Sequence, residues 1–165
     1  MTGFRVRAAR GDDVDGVLAL FEAVAAERRY ILSEPPIDRE RRARNFRETV
    51  GSEDAQVFIA EAGGDVVGEL TVFGRTSTGP AMIGMGVAAA WRGQGVGTAL
   101  MEACVEWARE RGVHKLSLEV FPWNEAAIAL YRKFGFVEEG RLRNHYRRQS
   151  GELWDVVVMG LVLEP

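Results

Sequence analysis

A glycine-rich turn constrains this chain more than any other feature of the sequence. It reads Arg92-Gly93-Gln94-Gly95-Val96-Gly97-Thr98 and lies between a strand-like segment and a strongly amphipathic helix. Its glycines carry no Cβ atom, so the chain can turn sharply while its backbone stays accessible. The first N–H groups of a helix have no intrahelical acceptor, and together with the helix dipole they attract anions such as phosphate. The turn therefore predicts either a diphosphate-binding cradle or a tight strand-to-helix connection without a ligand.

Two common phosphate motifs do not fit this turn. A P-loop ends in Gly-Lys-Ser/Thr, which the turn does not contain. The dinucleotide fingerprint G-x-G-x-x-G requires a third glycine, but that position is Thr98 when the motif starts at Gly93 and Leu100 when it starts at Gly95. Glu119, near the end of the next strand, resembles the acid that binds a ribose in such domains. A nucleotide-binding domain therefore stays an alternative.

Hydrophobic periodicity predicts the order β-α-α-β-β-β-α-β-α-β-β. Helices are expected to begin after Asp12 or Asp13, at Asp38, at Gly95 and after Asn124, and Gly63-Gly64-Asp65 is typical of a hairpin turn. The strands are expected at 4–7, 56–62, 66–73, 81–87, 115–121, 136–141 and 152–163. The fold class is therefore α/β (α+β), a mixed sheet of about seven strands with about four helices on its faces.

Composition narrows the class of protein. A chain of 165 residues fits a single domain over 1–165, and its net charge of −3 argues against a nucleic-acid or membrane-surface binder. Cys104 is the only cysteine, which excludes an intramolecular disulfide and a cysteine-based zinc site, and the histidines have no metal-ligand spacing. No apolar segment approaches the roughly 18 residues needed to cross a bilayer. We therefore expect a cytoplasmic protein without a metal.

Four segments together resemble the GNAT superfamily of acetyl-CoA-dependent N-acetyltransferases. They are Gly86-Val87, the turn 92–97, Leu118-Glu119-Val120 and the segment 124–136, which contains Ala129-Leu130-Tyr131-Arg132-Lys133-Phe134-Gly135-Phe136. The phosphate signature of that family is Q/R-x-x-G-x-G/A, which Arg92, Gly95 and Gly97 satisfy. The pattern is similar to bacterial ribosomal-protein N-terminal acetyltransferases and equally to amino-acid or small-amine acetyltransferases.

The resemblance implies a mostly antiparallel sheet that is splayed between its fourth and fifth strands, with acetyl-CoA bound there as a co-substrate. The fourth strand would pair with the pantetheine arm, and backbone N–H groups of the turn would hold the diphosphate. Asn124 would reach the arm through its side chain, although it also fits a helix N-cap. The implied cofactor-binding residues are Met85, Gly86, Val87, Arg92, Gly93, Gln94, Gly95, Val96, Gly97, Thr98 and Asn124.

The transfer reaction requires a proton acceptor and a proton donor. An amine attacks only when it is neutral, and an alkyl amine with a pKa near 10.4 is almost fully protonated at pH 7. Glu119 is the candidate acceptor, directly or through water, although it also fits a solvated acid or the partner of an arginine. By resemblance, Tyr131 protonates the departing thiolate, and its alternative role is a core aromatic. Cys104 lies on the buried stripe of its helix, which favours packing over a nucleophilic role.

The resemblance implies that the acceptor is a primary amine: an amino acid, a peptide N-terminus or another small amine. Loop and C-terminal residues are expected to line its site, and Tyr30, Glu34 and Tyr146 are the weak candidates. The arginine-rich segment 39–47 fits a solvated helix face or a site for an acidic group. An exposed C-terminal strand suggests a homodimer. A non-catalytic acyl-CoA sensor with the same fold is the alternative function.

Overall fold

A computed structural model describes residues 3–74 and 78–163. Within them one sheet has the strand order β1-β2-β3-β4-β5-β7-β6, and every pair is antiparallel except β4–β5, which is parallel. The strands are β1 Arg5–Ala8, β2 Gln56–Ala62, β3 Asp65–Phe73, β4 Ala81–Val87, β5 Lys115–Val120, β6 Val137–Arg147 and β7 Leu153–Val162. The predicted α/β architecture with seven strands is confirmed.

Four α-helices cover the two faces of this sheet: α1 Val14–Ala26, α2 Arg39–Val50, α3 Val96–Glu110 and α4 Glu125–Lys133. On one face, Leu18 of α1 and Phe46 of α2 pack against Ile59 of β2. On the other face, Leu100 of α3 and Tyr131 of α4 belong to the larger core cluster. None of the helices in the described ranges is long and apolar enough to cross a membrane.

Side chains at the helix starts explain two of the predicted boundaries. Asp38 accepts a hydrogen bond from the N–H of Arg41 at 3.0 Å, and Asn124 accepts one from the N–H of Ala127 at 3.3 Å. Asp13 precedes α1 as predicted, but its carboxylate does not cap that helix. It pairs instead with the Arg7 guanidinium at 2.8 Å, which fastens β1 to the start of α1.

The last two strands differ from the prediction. β6 continues to Arg147 and does not end at Arg141. It is paired with β7 on both sides of two register irregularities, at 138–140 and 142–146. Bulges of this kind disturb hydrophobic alternation, which hides the true length of a strand. β7 lies between β5 and β6, so the expected exposure of the C-terminal strand is wrong, and the edges of the sheet are β1 and β6.

The sheet opens between its fourth and fifth strands, as predicted. β4 pairs with β5 only at Ala81↔Leu116 and Met82↔Ser117. On its other side, β4 remains paired with β3 as far as Val87. From Ile83 onward, one edge of β4 therefore faces a gap where its backbone groups have no strand partner.

Candidate active site

The turn before α3 presents an open helix N-terminus. Gly93 and Gly95 have φ values of +71° and +88°, and a Cβ atom built on either would meet no atom within 4 Å. The first hydrogen bond of the helix runs from the N–H of Ala99 to the carbonyl of Gly95 at 3.0 Å. The N–H groups of residues 96–98 therefore have no intrahelical acceptor. Open N–H groups at the positive end of a helix dipole favour an anion such as phosphate.

Gly97 is glycine for a different reason. A Cβ atom there would lie 2.9 Å from Cδ2 of Leu130, a distance at which the leucine would have to move. The missing side chain lets the first turn of α3 approach α4 closely. This contact brings Asn124 and Tyr131 of the α4 segment to the same opening as the glycine turn.

A cavity of about 320 Å³, here called the α3 cavity, lies in the gap beside β4. It is lined by Val24, Tyr30, Ile31, Met85, Gly86, Val87, Trp91, Arg92, Gly93, Gly95, Gly97, Thr98, Asn124, Ala126, Ala127, Leu130 and Tyr131. Of the eleven residues that the resemblance implies for cofactor binding, only Gln94 and Val96 are outside this lining. Gln94 donates to the carbonyl of Ala90 at 2.6 Å, and the Val96 side chain is buried in the core. The side chains of these two residues are therefore directed away from the cavity.

Arg92 holds the wall of the α3 cavity together. Its guanidinium binds the Glu27 carboxylate through two hydrogen bonds of 2.7 and 2.6 Å, and its Nε donates to the carbonyl of Val87 at 3.0 Å. It also lies 4.7 Å from the centroid of the Tyr30 ring. The hydrogen bond with Arg92 lowers the pKa of Glu27, and the same bond raises the pKa of Arg92. Sequence reasoning missed Glu27, which is distant in the chain.

Tyr131 lies deep in the α3 cavity. Only 7% of the residue is exposed, and its ring centroid is 5.7 Å from that of Phe136. A phenol is protonated at neutral pH, and burial disfavours its ionised form further by raising the pKa of Tyr131 to about 12. The residue is thus both a core aromatic and a proton-bearing group in the cavity wall. Asn124 is likewise both an N-cap and a lining residue.

Glu119 lies on β5 with its side chain exposed, outside the lining of the α3 cavity. Its neighbours Leu118 and Val120 belong to the core on the α3 face, so strand alternation directs Glu119 to the opposite face. If the parallel register continued past Met82↔Ser117, Glu119 would stand opposite Gly84 across the gap.

The Glu119 carboxylate accepts a short hydrogen bond from the hydroxyl of Tyr146. Burial, followed by this bond, raises the pKa of Tyr146 to about 12. Two residues that the sequence analysis treated separately are therefore neighbours in the structure.

A second cavity of about 460 Å³, here called the α2 cavity, lies on the face that carries α1 and α2. It is lined by Val17, Leu18, Leu20, Phe21, Val24, Ile31, Arg42, Asn45, Phe46, Thr49, Val57, Glu69, Thr71, Phe73, Gly84, Met85 and Gly86. Four of these residues also line the α3 cavity: Val24, Ile31, Met85 and Gly86. The two cavities therefore meet at β4, and sequence reasoning missed the second one.

Glu69 is the acidic group of the α2 cavity. It is half-buried on β3 and accepts a short hydrogen bond from the hydroxyl of Thr71. Burial raises the pKa of Glu69 to about 7, while the Thr71 bond and the Arg42 charge act in the other direction. Arg42 itself lies with its guanidinium carbon 3.1 Å from the centroid of the Phe21 ring, and burial lowers its pKa.

The other candidate acceptor residues lie in the loop between α1 and α2. Tyr30 lines the α3 cavity, but Glu34 is outside the lining of both cavities. The Glu34 carboxylate accepts from the backbone N–H of Gln149 at 2.9 Å and from Arg28 at 3.3 Å. Arg148, only 4% exposed, donates to the carbonyl of Leu32 at 2.7 Å. Glu34 thus fastens the loop to the hairpin between β6 and β7.

Two further expectations concern cysteine and metal. Cys104 is fully buried, and burial raises the pKa of its thiol to about 12, so the reactive thiolate is disfavoured. In residues 3–74 and 78–163, no group of three or more His, Cys, Asp or Glu side chains is arranged to hold a metal ion.

Comparison with known proteins identifies the class. The sequence model of the acetyltransferase (GNAT) family matches residues 18–136, which include the glycine turn, β4, β5 and α4. A sheet that opens between β4 and β5, with the glycine turn beside the opening, is therefore the fold of an acetyltransferase. The chain belongs to the GNAT family.

Individual relatives agree with this assignment. The chain is 28% identical to L-methionine sulfoximine/L-methionine sulfone acetyltransferase of Pseudomonas aeruginosa, over 97% of this chain and 95% of that protein. The crystal structure of a ribosomal-protein-alanine N-acetyltransferase from Brucella melitensis superposes with a TM-score of 0.84 at 30% identity, covering 96% of this chain and 99% of that one. The fold is also shared with a Salmonella typhimurium protein that was solved with its cofactor acetyl-CoA, at a TM-score of 0.83 and 21% identity, with coverage of 98% and 95%.

Proposed function

We propose that this chain, as a single N-acetyltransferase domain, transfers an acetyl group from acetyl-CoA to a primary amine within a ternary complex. The observation that carries the proposal is the meeting of two cavities at one strand. The α3 cavity contains the anion cradle, the α2 cavity opens on the other face, and both include Met85 and Gly86. A donor and an acceptor bound on opposite faces of β4 would come together at these residues.

Three features of the α3 cavity support acetyl-CoA as its ligand. The open N–H groups at residues 96–98 suit the diphosphate, and the edge of β4 that faces the gap can pair with the amides of the pantetheine arm. Gly93 and Gly95 leave the approach to the helix free of side chains. When bound, acetyl-CoA supplies an activated acyl carbonyl, and this chain supplies orientation and proton transfer.

The protons are assigned to two side chains. The ammonium nitrogen of the acceptor loses two protons in all as the N–C bond forms and the C–S bond breaks. We assign the first to Glu119, which is exposed and can release it to solvent. Tyr131, whose phenol is protonated at neutral pH, gives its proton to the departing sulfur and is recharged by the second proton from the nitrogen. The net reaction releases one proton.

A thiol-release assay tests this function. Purified protein is incubated with acetyl-CoA and a panel of amino acids, short peptides and polyamines, and free thiol and acetylated product are both quantified. We expect stoichiometric thiol and N-acetyl product with at least one amine. Binding of acetyl-CoA without product across the whole panel would instead favour the sensor function. Thermal stabilisation by NAD or ATP, but not by acetyl-CoA, would favour a nucleotide-binding domain.

A further inference from the structure

The α2 cavity contains two opposite charges that are not joined to each other. Glu69 and Arg42 both line it, and each influences the pKa of the other. Among the described residues, the hydrogen-bond partner of Glu69 is the Thr71 hydroxyl and that of Arg42 is the Ser33 hydroxyl at 3.4 Å. Neither charge forms an ion pair there. A half-buried carboxylate and guanidinium without ionic partners are costly unless a ligand supplies the opposite charges.

The strand pairing opens space directly beside Glu69. Glu69 stands opposite Gly86 in the ladder between β3 and β4, and Thr71 stands opposite Gly84. Side chains directly opposite each other on a sheet normally fill this space, but both partners here are glycines. The Glu69 carboxylate therefore borders an open trough that leads to Gly86, where the α3 cavity begins.

The remaining wall of the α2 cavity is mostly apolar. Aliphatic and aromatic side chains from four elements contribute to it: Val17, Leu20, Phe21, Phe46, Val57 and Phe73. The cavity volume of about 460 Å³ is enough for a small molecule of amino-acid size. Such a wall favours an uncharged, largely apolar side group.

We propose that the α2 cavity binds a free α-amino acid with an uncharged side chain, whose carboxylate pairs with Arg42 and whose ammonium group pairs with Glu69 beside Gly86. The inference rests on the proposed function for its placement of the acetyl donor. It names the substrate class of that site and assigns Arg42 and Glu69 to recognition, not to proton transfer.

The charges discriminate against the other classes of amine. The amine at a peptide N-terminus is followed by an amide, which would leave Arg42 without its carboxylate. A polyamine would place a second cation near Arg42. Sites that are built to pair a polar group reject analogues that lack it far more strongly than apolar pockets reject a missing methylene. A zwitterion is the ligand that neutralises both groups at once.

The first experiment compares ligands on the unmodified protein. Calorimetry without acetyl-CoA measures binding of L-methionine, L-leucine and L-phenylalanine and of their amides, and the thiol-release assay gives KM and kcat for the same compounds. We expect at least one amino acid to bind tenfold or more tightly than its amide, with the difference expressed in KM. Equal or tighter binding of every amide would overturn the proposal.

The second experiment removes the guanidinium. Arg42→Met should abolish the preference for the acid over the amide, while Arg44→Met should keep it. Arg44 is the matched control, because it is an exposed arginine on the same helix and outside the cavity lining. A preference that survives in Arg42→Met, with a melting temperature close to the parent's, would exclude Arg42 as the carboxylate partner.

The third experiment uses pH. Ionised Glu69 is needed to pair with ammonium, so the affinity of the parent protein for the amino acid should fall as pH drops from 8 to 6. Glu69→Gln should bind more weakly at pH 8 and lose this dependence, with KM affected more than kcat. A collapse of kcat at unchanged KM would show that Glu69 acts in proton transfer and overturn its recognition role.

The two proposals fail in different ways. Amino-acid binding at Arg42 and Glu69 without any thiol release would defeat the acetyltransferase function and leave the binding site intact. Thiol release with peptides or polyamines, together with no preference for the acid over the amide, would defeat the amino-acid site and leave the acetyltransferase function intact.

Discussion

Tyr131 combines a buried ring with a hydroxyl in the wall of the α3 cavity. In water a phenol has a pKa near 10, and the apolar surroundings of Tyr131 raise it to about 12. The phenol is protonated at neutral pH with either value, and burial further disfavours the phenolate. Asn124 is a comparable case, in which one side chain caps α4 and lines the cavity at once. At this scale, single residues carry both a structural and a site role.

Removing the Tyr131 hydroxyl should reduce turnover without affecting donor binding. For Tyr131→Phe we expect kcat to fall about 100-fold, the typical contribution of a positioned general acid, and the Kd for acetyl-CoA to change less than twofold. The thiol-release assay and calorimetry measure these two quantities. Cys104→Ala is the contrasting variant, because its buried thiol should be dispensable for transfer. Undiminished turnover of Tyr131→Phe would remove this residue from the mechanism.

Glu69 should make stability depend on pH. Its folded-state pKa of about 7 lies above the ordinary value of 4.5, so its contribution to stability is complete below pH 4.5 and is lost as pH rises through 7. Between pH 5 and pH 8 this change should cost about 2 kcal/mol of unfolding free energy.

Urea unfolding of Glu69→Gln measures that contribution. The loss of stability from pH 5 to pH 8 should be smaller in this variant than in the parent by about 2 kcal/mol. Glu102→Gln, an exposed change on α3, should behave like the parent. Identical pH profiles for the parent and Glu69→Gln would contradict the raised pKa.

Contiguous residues could be predicted from the sequence, and dispersed ones could not. The glycine turn lies in one loop, and the segment 124–136 contains one helix. Their residues are close in sequence, so their spacing alone reveals them. Glu69 and Arg42 lie on a strand and a helix that are far apart in the chain, and only tertiary packing brings them to one cavity. The glycines at 84 and 86 were the available signal, because they mark a place where strand side chains leave room.

The two ends of helix α3 allow an effect on stability to be distinguished from an effect on ligand binding. Gly95 precedes its first residue with φ +88°, and Gly112 follows its last turn with φ +67°. A Cβ atom at either position would meet no neighbour within 4 Å. Alanine at either end should therefore suffer the same backbone strain, although only one end faces the anion site.

We expect Gly95→Ala and Gly112→Ala to lose similar stability, about 1 kcal/mol each. Gly95→Ala alone should weaken acetyl-CoA binding, by tenfold or more, because its Cβ atom would occupy the approach to the open N–H groups. Denaturant titration and calorimetry provide the comparison. Equal donor affinity in the two variants would mean that the diphosphate is bound elsewhere.

The elements themselves were largely predictable. Periodicity gave β2 and β4 with the bounds that the structure has, and Asp38 and Asn124 marked the starts of α2 and α4 correctly. β6 was too short in the prediction because its outer positions alternate poorly where the strand bulges. The prediction of an exposed β7 is wrong because pairing order cannot be derived from the periodicity of a single strand.

Across the whole molecule, the C-terminal hairpin supports a loop from the first third of the chain. Arg148 donates to the carbonyls of Ile31 and Leu32 at 3.4 and 2.7 Å, and its guanidinium lies 4.1 Å from the centroid of the Trp154 ring. Trp123 adds a hydrogen bond to the carbonyl of Arg29 at 3.0 Å. The loop supported in this way contributes Tyr30 and Ile31 to the α3 cavity.

Arg148→Met should therefore affect a distant part of the protein. We expect a stability loss of about 2 kcal/mol, because buried charged hydrogen bonds are removed, and faster amide hydrogen exchange across residues 28–37. KM for acetyl-CoA should rise as the cavity wall loosens. Arg147→Met, at an exposed neighbouring position, is the control. Unchanged exchange in the loop would show that the hairpin does not hold it.

The position of β4 between the two cavities bears on how such a protein can evolve. Acetyl-CoA and the acceptor would meet at β4, and each would approach this single strand from a different cavity. Substitutions in α2 could then change the acceptor that binds in the α2 cavity, while the acetyl-CoA site in the α3 cavity stays intact. Such a separation allows descendants of one ancestor to diverge in substrate while retaining a common acyl donor.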